Sequence, residues 1–287
     1  MSWRPFRRWF NARAGILAGV ICSAPVSAAG AQASAVVPQA WAFTWSITPT
    51  ANERPVNGGA VILDVAIWRG SVRISVREGP MRLLTGDGGT LLLKATDSTL
   101  AVIKPAKREV LTAAASDLGA LMGGPGNAIP LGISDVSSVT RIRGDGARAF
   151  GYRTRRVELA QRYTLTVSTP TVRRTIQTQQ THDIDISSDI ARLDPGFGIF
   201  ADQFARSLGL PGAVRARLRA VERSVPYGVP VRTTTAAVTV SGSDTLRTTT
   251  RVEMTALRRE AIDTTTFVIP AGYRITEMSR LQQQRKP

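Results

Sequence analysis

The chain has 287 residues, a formal net charge of +16, one cysteine and one histidine. A chain of this length can bury a sufficient hydrophobic core without disulfides or metals, either as one large β domain or as two smaller domains. A single cysteine cannot form a disulfide within the chain, and one histidine with one cysteine disfavours a structural zinc site.

Residues 1–33 have the pattern of an export signal peptide. Arginines at positions 4, 7, 8 and 13 precede an apolar run over 14–29, and Ala31-Gln32-Ala33 fits a small-x-small cleavage site. The run is too short and too rich in alanine and glycine to predict a membrane span. Cys22 follows Ile21 rather than a small residue, so lipidation is not expected. We expect a cleaved protein in the periplasm or cell envelope, by Sec or Tat export.

The stretch from Val61 to Ile103 predicts consecutive short strands. In 71–77, apolar residues alternate with serine and arginine, which places the two sets on opposite faces. Turns are predicted at Glu78-Gly79-Pro80 and at 86–89, with a strand over Met81–Thr85 between them. Connections this short join antiparallel neighbours, because a parallel crossover needs about a dozen residues.

Further strands are predicted on both sides of this ladder, about eleven in all. The first carries Trp41, Phe43 and Trp45 on one face. The others are predicted over 136–143, in a hairpin of 152–159 with 163–167, over 172–186, in a threonine-rich hairpin of 229–240 with 246–257, and in a last pair near 266–268 and 273–275. Residues 34–287 are predicted to form one domain, with 278–287 as a frayed tail.

Three short helical segments interrupt the strands. One follows Ser116-Asp117, and a basic one over 213–224 carries four arginines. Between them, Asp194-Pro195-Gly196 begins a segment in which Phe197, Phe200 and Phe204 recur at helical spacing. These phenylalanines predict one aromatic stripe.

The polar candidates for chemistry are weak, and no catalytic residue, cofactor or metal is predicted. His182 would point away from Asp183 and Asp185 on a strand, so it is interpreted as a surface histidine. Five residues have the spacing of calcium-loop ligands: Asp183, Asp185, Ser187, Asp189 and Asp194. Ser188 stands where such a loop needs glycine, so pairing of these carboxylates with arginines is favoured.

Several motifs resemble a group of exported proteins in the lipoprotein-carrier-like (LolA/LolB-like) superfamily. They are Trp68-Arg69-Gly70-Ser71-Val72-Arg73-Ile74, Gly144-Asp145-Gly146 with Gly151-Tyr152-Arg153-Thr154, and the ending from Ile262 to Tyr273. The resemblance covers most of the chain after the signal peptide. It implies a mainly β fold, with a curved, unclosed antiparallel sheet (a half-barrel) and two or three short helices on its concave face. In the carriers, that concavity holds acyl chains.

The leading hypothesis is a non-enzymatic exported protein that binds a hydrophobic or acyl-chain-bearing ligand. The aromatic residues predicted to line or cover the site are Trp41, Phe43, Trp45, Trp68, Phe197, Phe200 and Phe204. The basic strand faces would meet an anionic membrane surface or an acidic partner, and no nucleic acid is expected. The alternative is an envelope scaffold or interaction protein with a filled groove, which pairs through its edge strands or basic faces. An enzyme ranks third, because the acid/base constellation is poor.

Overall fold

The structure is a computed structural model, and it describes residues 37–56, 59–79, 82–94, 99–114, 131–168, 173–205 and 225–278. Within these ranges, the side chains of residues 83, 84, 131 and 203–205 are not described. The predicted signal peptide, the helix after Ser116, the basic helix over 213–224 and the tail after Met278 lie outside the described residues.

Within the described residues, thirteen strands form one open, mostly antiparallel sheet, which confirms the predicted fold class with more strands than expected. The strands are β1 Gln39–Ala51, β2 Arg54–Pro55, β3 Val61–Trp68, β4 Ser71–Glu78, β5 Thr90–Lys94, β6 Thr99–Lys104, β7 Glu109–Ala114, β8 Leu131–Asp145, β9 Arg155–Ser168, β10 Arg173–Ser187, β11 Val229–Ser241, β12 Asp244–Ala261 and β13 Arg274–Glu277. Their order is β13-β7-β6-β5-β4-β3-β1-β12-β11-β10-β9-β8, with β2 beside β1. The pair β13 and β7 is parallel.

Helical structure in the described residues is short. It comprises α1 Arg82–Thr85, α2 Ser188–Ala191, α3 Pro195–Ile199, a π-helix Phe200–Ala205, and 3-10 helices Pro105–Lys107 and Thr264–Phe267. None of the helices described is long and apolar enough to cross a membrane.

Alternation along the strands gives the sheet two distinct faces. Phe43, Val65, Ile74, Leu91 and Val102 are in register across β1 and β3–β6, and each is buried. Residues opposite each other in register point the same way, so these side chains form a continuous apolar band. The face that carries this band is named here the lid face.

The opposite face carries a smaller core of its own. Leu92 and Ala101 contribute to it from the sheet, and Phe267 packs on them from a 3-10 helix. Asp263 caps that helix, because its carboxylate accepts the N–H of Thr265 at 2.9 Å. Strands β5 and β6 are therefore covered on both sides, which accounts for the unbroken apolar run in β5.

The strand predicted over Met81–Thr85 is wrong, because residues 82–85 form the helical turn α1. The N–H of Gly86 donates to the carbonyl of Arg82 at 2.7 Å and closes the turn. Gly86 has a φ of +73° and ends the helix in the left-handed conformation. A short apolar segment does not separate helix from strand by its pattern.

The hairpin predicted from 152–159 and 163–167 is also wrong. Residues 155–168 are the single strand β9, which pairs continuously with β10. The three residues that would have formed the turn, at 160–162, include no Gly, Pro, Asn or Asp. In the last predicted strand pair, Thr266 and Phe267 lie in a 3-10 helix, and β13 pairs with β7 instead.

Candidate functional site

Five of the aromatic residues predicted from the sequence meet in one cluster on the lid face. They are Trp41, Phe43, Trp45, Phe197 and Phe200. The ring of Phe43 stacks on Phe197 with 5.8 Å between centroids, and Phe200 meets Trp45 edge-on at 5.0 Å. Except for half-buried Trp41, these residues are at most 2% exposed. The cluster is therefore closed and filled by its own rings.

The two phenylalanines belong to residues 195–205, named here the lid segment. Asp194 fixes the start of this segment to the sheet, because one carboxylate oxygen accepts the N–H groups of Gly70 and Gly196 at 2.8 Å each. Gly196 lies so close to β3 that an added Cβ would stand 2.5 Å from Cγ2 of Ile67. Asp194-Pro195-Gly196 thus supplies the cap, the first helical residue and the close approach.

Two polar atoms of the cluster lack partners. The indole N–H groups of Trp41 and Trp45 are buried, and neither has a hydrogen-bond acceptor in the described structure. A buried donor without an acceptor costs about 1–3 kcal/mol. Because native cores satisfy nearly all such groups, two of them on one strand distinguish the cluster from an ordinary core.

The structure does not bring the other two predicted residues into the cluster. Trp68 lies on the opposite face, where its ring is 5.7 Å from that of Phe267 and the guanidinium of Arg69 covers it at 5.1 Å. Its neighbour Ile67 faces the cluster, so strand alternation turns Trp68 away. Phe204 lies in the π-helix, and its side chain is outside the described residues.

The lid face becomes polar from β12 towards β8. Trp45 is in register with Met254, and further along β12 Thr250 is in register with Thr235 of β11. Seven of the polar residues of this face on β8–β11 are named here the polar stripe: Ser138, Gln161, Tyr163, Thr178, Gln180, His182 and Thr235. Four of them are at most 8% exposed: Gln161, Tyr163, Thr178 and Gln180.

His182 is at the centre of this stripe, on the face opposite Asp183 and Asp185 as expected, but it is half-buried rather than a surface histidine. Its Nδ1 lies 2.9 Å from the hydroxyl of Thr235, and its Nε2 lies 3.1 Å from Oε1 of Gln161. That oxygen can only accept, so Nε2 carries the proton and Nδ1 accepts from the hydroxyl. Burial lowers the pKa of His182 from 6.5 to about 4, which keeps the ring neutral at pH 7.

The carboxylates with calcium-loop spacing pair with arginines or cap helices, and Asp183 and Asp185 share Arg156. Asp185 is buried and receives Arg156 at 3.3 Å, and Asp189 receives Arg153 at 3.4 Å. Ser187 instead caps α2, and Asp194 caps α3. Within the described residues, no group of three or more His, Cys, Asp or Glu side chains is placed to hold a metal ion. The expected pairing with arginines is present at both Asp185 and Asp189.

An open cleft of about 290 Å³ lies where β10–β12 meet the loop after β8. Met254 and Val231 line this cleft and also belong to the hydrophobic core of the lid face. Phe150 and Ala256 line it with positive φ angles of 53° and 56°, which are uncommon for side chains of this kind. None of the aromatic residues predicted to bind a ligand lines this cleft, whose volume is at the lower end for ligand pockets.

The polar stripe was missed from the sequence. Residues 172–186 read only as a long polar strand, and the glutamines of β9 and β10 are far apart along the chain. Alternation places Thr178, Gln180 and His182 on one face, which was the available signal. Their burial next to Gln161 depends on the strand register, which the sequence pattern does not give.

Comparisons with known proteins yield similar structures but no sequence relative. No protein-family model matches the chain, and no curated protein matches it. The chain is similar to PNGF-II in space groups C2 and P21, at 10% identity and TM-scores of 0.33 and 0.34, over 86% of this chain. It spans about a third of the length of PNGF-II. It is also similar to a LolA superfamily protein from Nitrosomonas europaea, at 7% identity and a TM-score of 0.31, over 80% of this chain and 90% of that one.

Proposed function

We propose that the protein is an exported, non-enzymatic binding protein for a hydrophobic or acyl-chain-bearing ligand, held on the lid face of the sheet. The observation that carries the proposal is the pair of unpartnered indole N–H groups, of Trp41 and Trp45, within an otherwise apolar cluster. An acyl chain that ends in an ester, amide or carboxyl oxygen supplies both apolar surface and a hydrogen-bond acceptor.

Ligand entry requires the lid segment to move, because Phe197 and Phe200 occupy the space beside β1. Exposing two phenylalanine rings costs about 3–6 kcal/mol, and burying one methylene returns about 0.8 kcal/mol. About four to eight buried methylenes therefore offset the opening, which suits a long acyl chain better than a short one. The π-helix directly after α3 is of a kind found often at functional positions.

The proposed partners outside the site follow from charge. The chain has a formal net charge of +16, which favours contact with an anionic membrane surface or an acidic partner protein.

Native mass spectrometry of mature protein isolated from a periplasm tests the proposal, with organic extraction of bound material. We expect an added mass that matches a lipid, or uptake when acyl lipids are offered. A clean apo mass that lipid leaves unchanged contradicts the proposal.

The indole N–H groups can be tested with a matched pair of variants. Trp45→Phe keeps an aromatic ring but removes the donor, so we expect lipid affinity to fall about tenfold. Trp68→Phe makes the same change on the opposite face and is expected to leave affinity unaltered. Equal affinity in wild type and Trp45→Phe would show that the indole does not contact the ligand.

The closed, filled state of the aromatic cluster favours a second candidate, an envelope interaction protein. Strand β8 is 15 residues long and ends the sheet, and only β9 pairs with it among the described strands. Such an edge can accept an extended peptide from a partner, although the two register shifts of β8 limit the length of pairing. An apo mass in the experiment above selects this candidate.

A further inference from the structure

Charge is distributed very unevenly between the two faces of strands β9–β11. On the opposite face, Arg156 pairs with Asp183 and Asp185, and Arg232 pairs with Glu253 of β12. On the lid face, the described residues in register around His182 are all uncharged: Leu159, Gln161, Tyr163, Thr178, Gln180, Thr235, Ala237 and Thr239. A strongly basic chain thus keeps this part of the lid face neutral.

The neutral groups of the stripe are held in place by one another. Nε2 of Gln180 donates to Oε1 of Gln161 at 2.6 Å, and the same oxygen accepts from His182 at 3.1 Å. The hydroxyl of Tyr163 hydrogen-bonds to Thr178 and is buried. Beside Gln161 in register, the hydroxyl of Ser138 is buried with no partner in the described structure. The stripe is therefore an ordered array of uncharged donors and acceptors with one group left over.

The stripe lies within reach of the aromatic cluster. His182 lies three strands from β1, and across the sheet it is in register with Thr235 of β11 and Thr250 of β12. Thr250 is four residues along β12 from Met254, which is in register with Trp45 of β1. With about 4.8 Å between strands and 3.3 Å per residue, the two sites are about 20 Å apart along the sheet. With its headgroup, a lipid of one leaflet spans about 20 Å, so one lipid can reach from the cluster to the stripe.

We propose that the polar stripe binds the uncharged, hydroxyl-bearing headgroup of the lipid whose acyl chain the aromatic cluster holds. The inference rests on the proposed function and adds the class of headgroup. Hydroxyl groups both donate and accept, as do the amides and hydroxyls of Gln161, Gln180 and Ser138. Among the described residues around His182, a phosphate or carboxylate head would be buried without a counter-charge, which is costly.

The test compares two lipids with identical acyl chains, a monoglucosyl diacylglycerol and a phosphatidylglycerol, by titration into full-length mature protein. We expect the glycolipid to bind at least about tenfold more tightly, and Gln180→Leu to remove most of that preference. Thr181→Val, on the exposed opposite face of the same strand, is the matched control and is expected to keep the preference. Ser138→Ala removes no hydrogen bond to the described residues, and it replaces Gln180→Leu in the test if that variant does not fold.

The outcomes separate the inference from the proposed function. Equal or tighter binding of phosphatidylglycerol, or a glycolipid preference that survives both Gln180→Leu and Ser138→Ala, overturns the headgroup assignment and leaves acyl binding intact. Failure of both lipids to bind overturns the proposed function itself. A glycolipid preference that Gln180→Leu or Ser138→Ala removes, and Thr181→Val does not, supports the inference.

Discussion

At the scale of single residues, the lid face depends on how a few polar atoms are satisfied. The carboxylate of Asp194 accepts backbone N–H groups, and both ring nitrogens of His182 have hydrogen-bond partners. Trp41 and Trp45 keep a buried N–H that has no acceptor among the described residues. A satisfied buried group stabilises the fold, whereas an unsatisfied one costs stability until something binds it. The first two residues therefore serve the fold, and the tryptophans are the ones assigned to the ligand.

His182 predicts a specific loss of stability in acid. Its folded pKa of about 4 lies below the unfolded value of 6.5, so the unfolded chain binds a proton first as the pH falls. This contribution to stability is fully present above pH 6.5 and is lost between pH 6.5 and 4. Between pH 7.5 and 4.5 we expect wild type to lose about 2–3 kcal/mol more than His182→Gln, measured by urea unfolding.

Subtracting the two pH profiles removes the carboxylates that titrate in the same range, because both proteins share them. Parallel profiles for wild type and His182→Gln would mean that the imidazole is solvated or charged in the folded protein. That result would contradict the description of the lid face around His182 as uncharged.

At the scale of elements, the lid segment is attached to the sheet at its start. The carboxylate of Asp194 accepts N–H groups from Arg69, Gly70 and Gly196, and so joins the β3–β4 turn to α3. We expect Asp194→Ala to lower the free energy of unfolding by about 1–2 kcal/mol and to speed hydrogen exchange in residues 195–205. If this segment covers the ligand site, lipid uptake becomes faster in the same variant.

Asp263→Ala is the control for that experiment, because Asp263 caps a short helix on the opposite face in the same way. It is expected to lose a comparable cap without altering exchange in residues 195–205 or lipid uptake. Equal uptake rates in wild type and Asp194→Ala would show that ligand entry does not depend on this segment.

At the scale of the whole molecule, the two halves of the sheet differ in how much apolar contact they bury and therefore in local stability. Strands β5 and β6 are buried on both faces, as Leu91, Leu92 and Leu93 show with at most 1% exposure. Strand β11 instead has only half-buried and exposed residues from Arg232 to Ser241. Local opening free energy follows the amount of buried apolar contact.

We therefore expect amides of β5–β6 to exchange with solvent at least about a hundredfold more slowly than those of β11, as measured by hydrogen exchange with mass spectrometry. Lipid binding is expected to slow exchange in β10 and β11 and to leave β5–β6 unchanged. Uniform protection across the sheet would contradict the division into two halves.

Much of this architecture was predictable because local rules govern it. Alternation in Val72–Val76 specifies a strand with two unlike faces, and Asp194-Pro195-Gly196 specifies a helix start. The same alternation, applied to Ile67 and Trp68, would have removed Trp68 from the predicted site. The error at 81–85 is different in kind, since one turn of helix and a short strand have the same apolar content.

By itself the sequence determined a mainly β sheet, antiparallel neighbours in the ladder, and an aromatic face on β1 that a helical segment covers. These features are predicted by the periodicity of apolar side chains and by the short connections between strands, and both are set by residues close together in the sequence. Only the tertiary structure decided that β13 joins β7 in parallel and that Gln161 meets Gln180 and His182 on the lid face. It also left the indoles of Trp41 and Trp45 without acceptors in the part of the chain that the structure describes. Each of these depends on register and packing between distant segments, which local patterns do not encode.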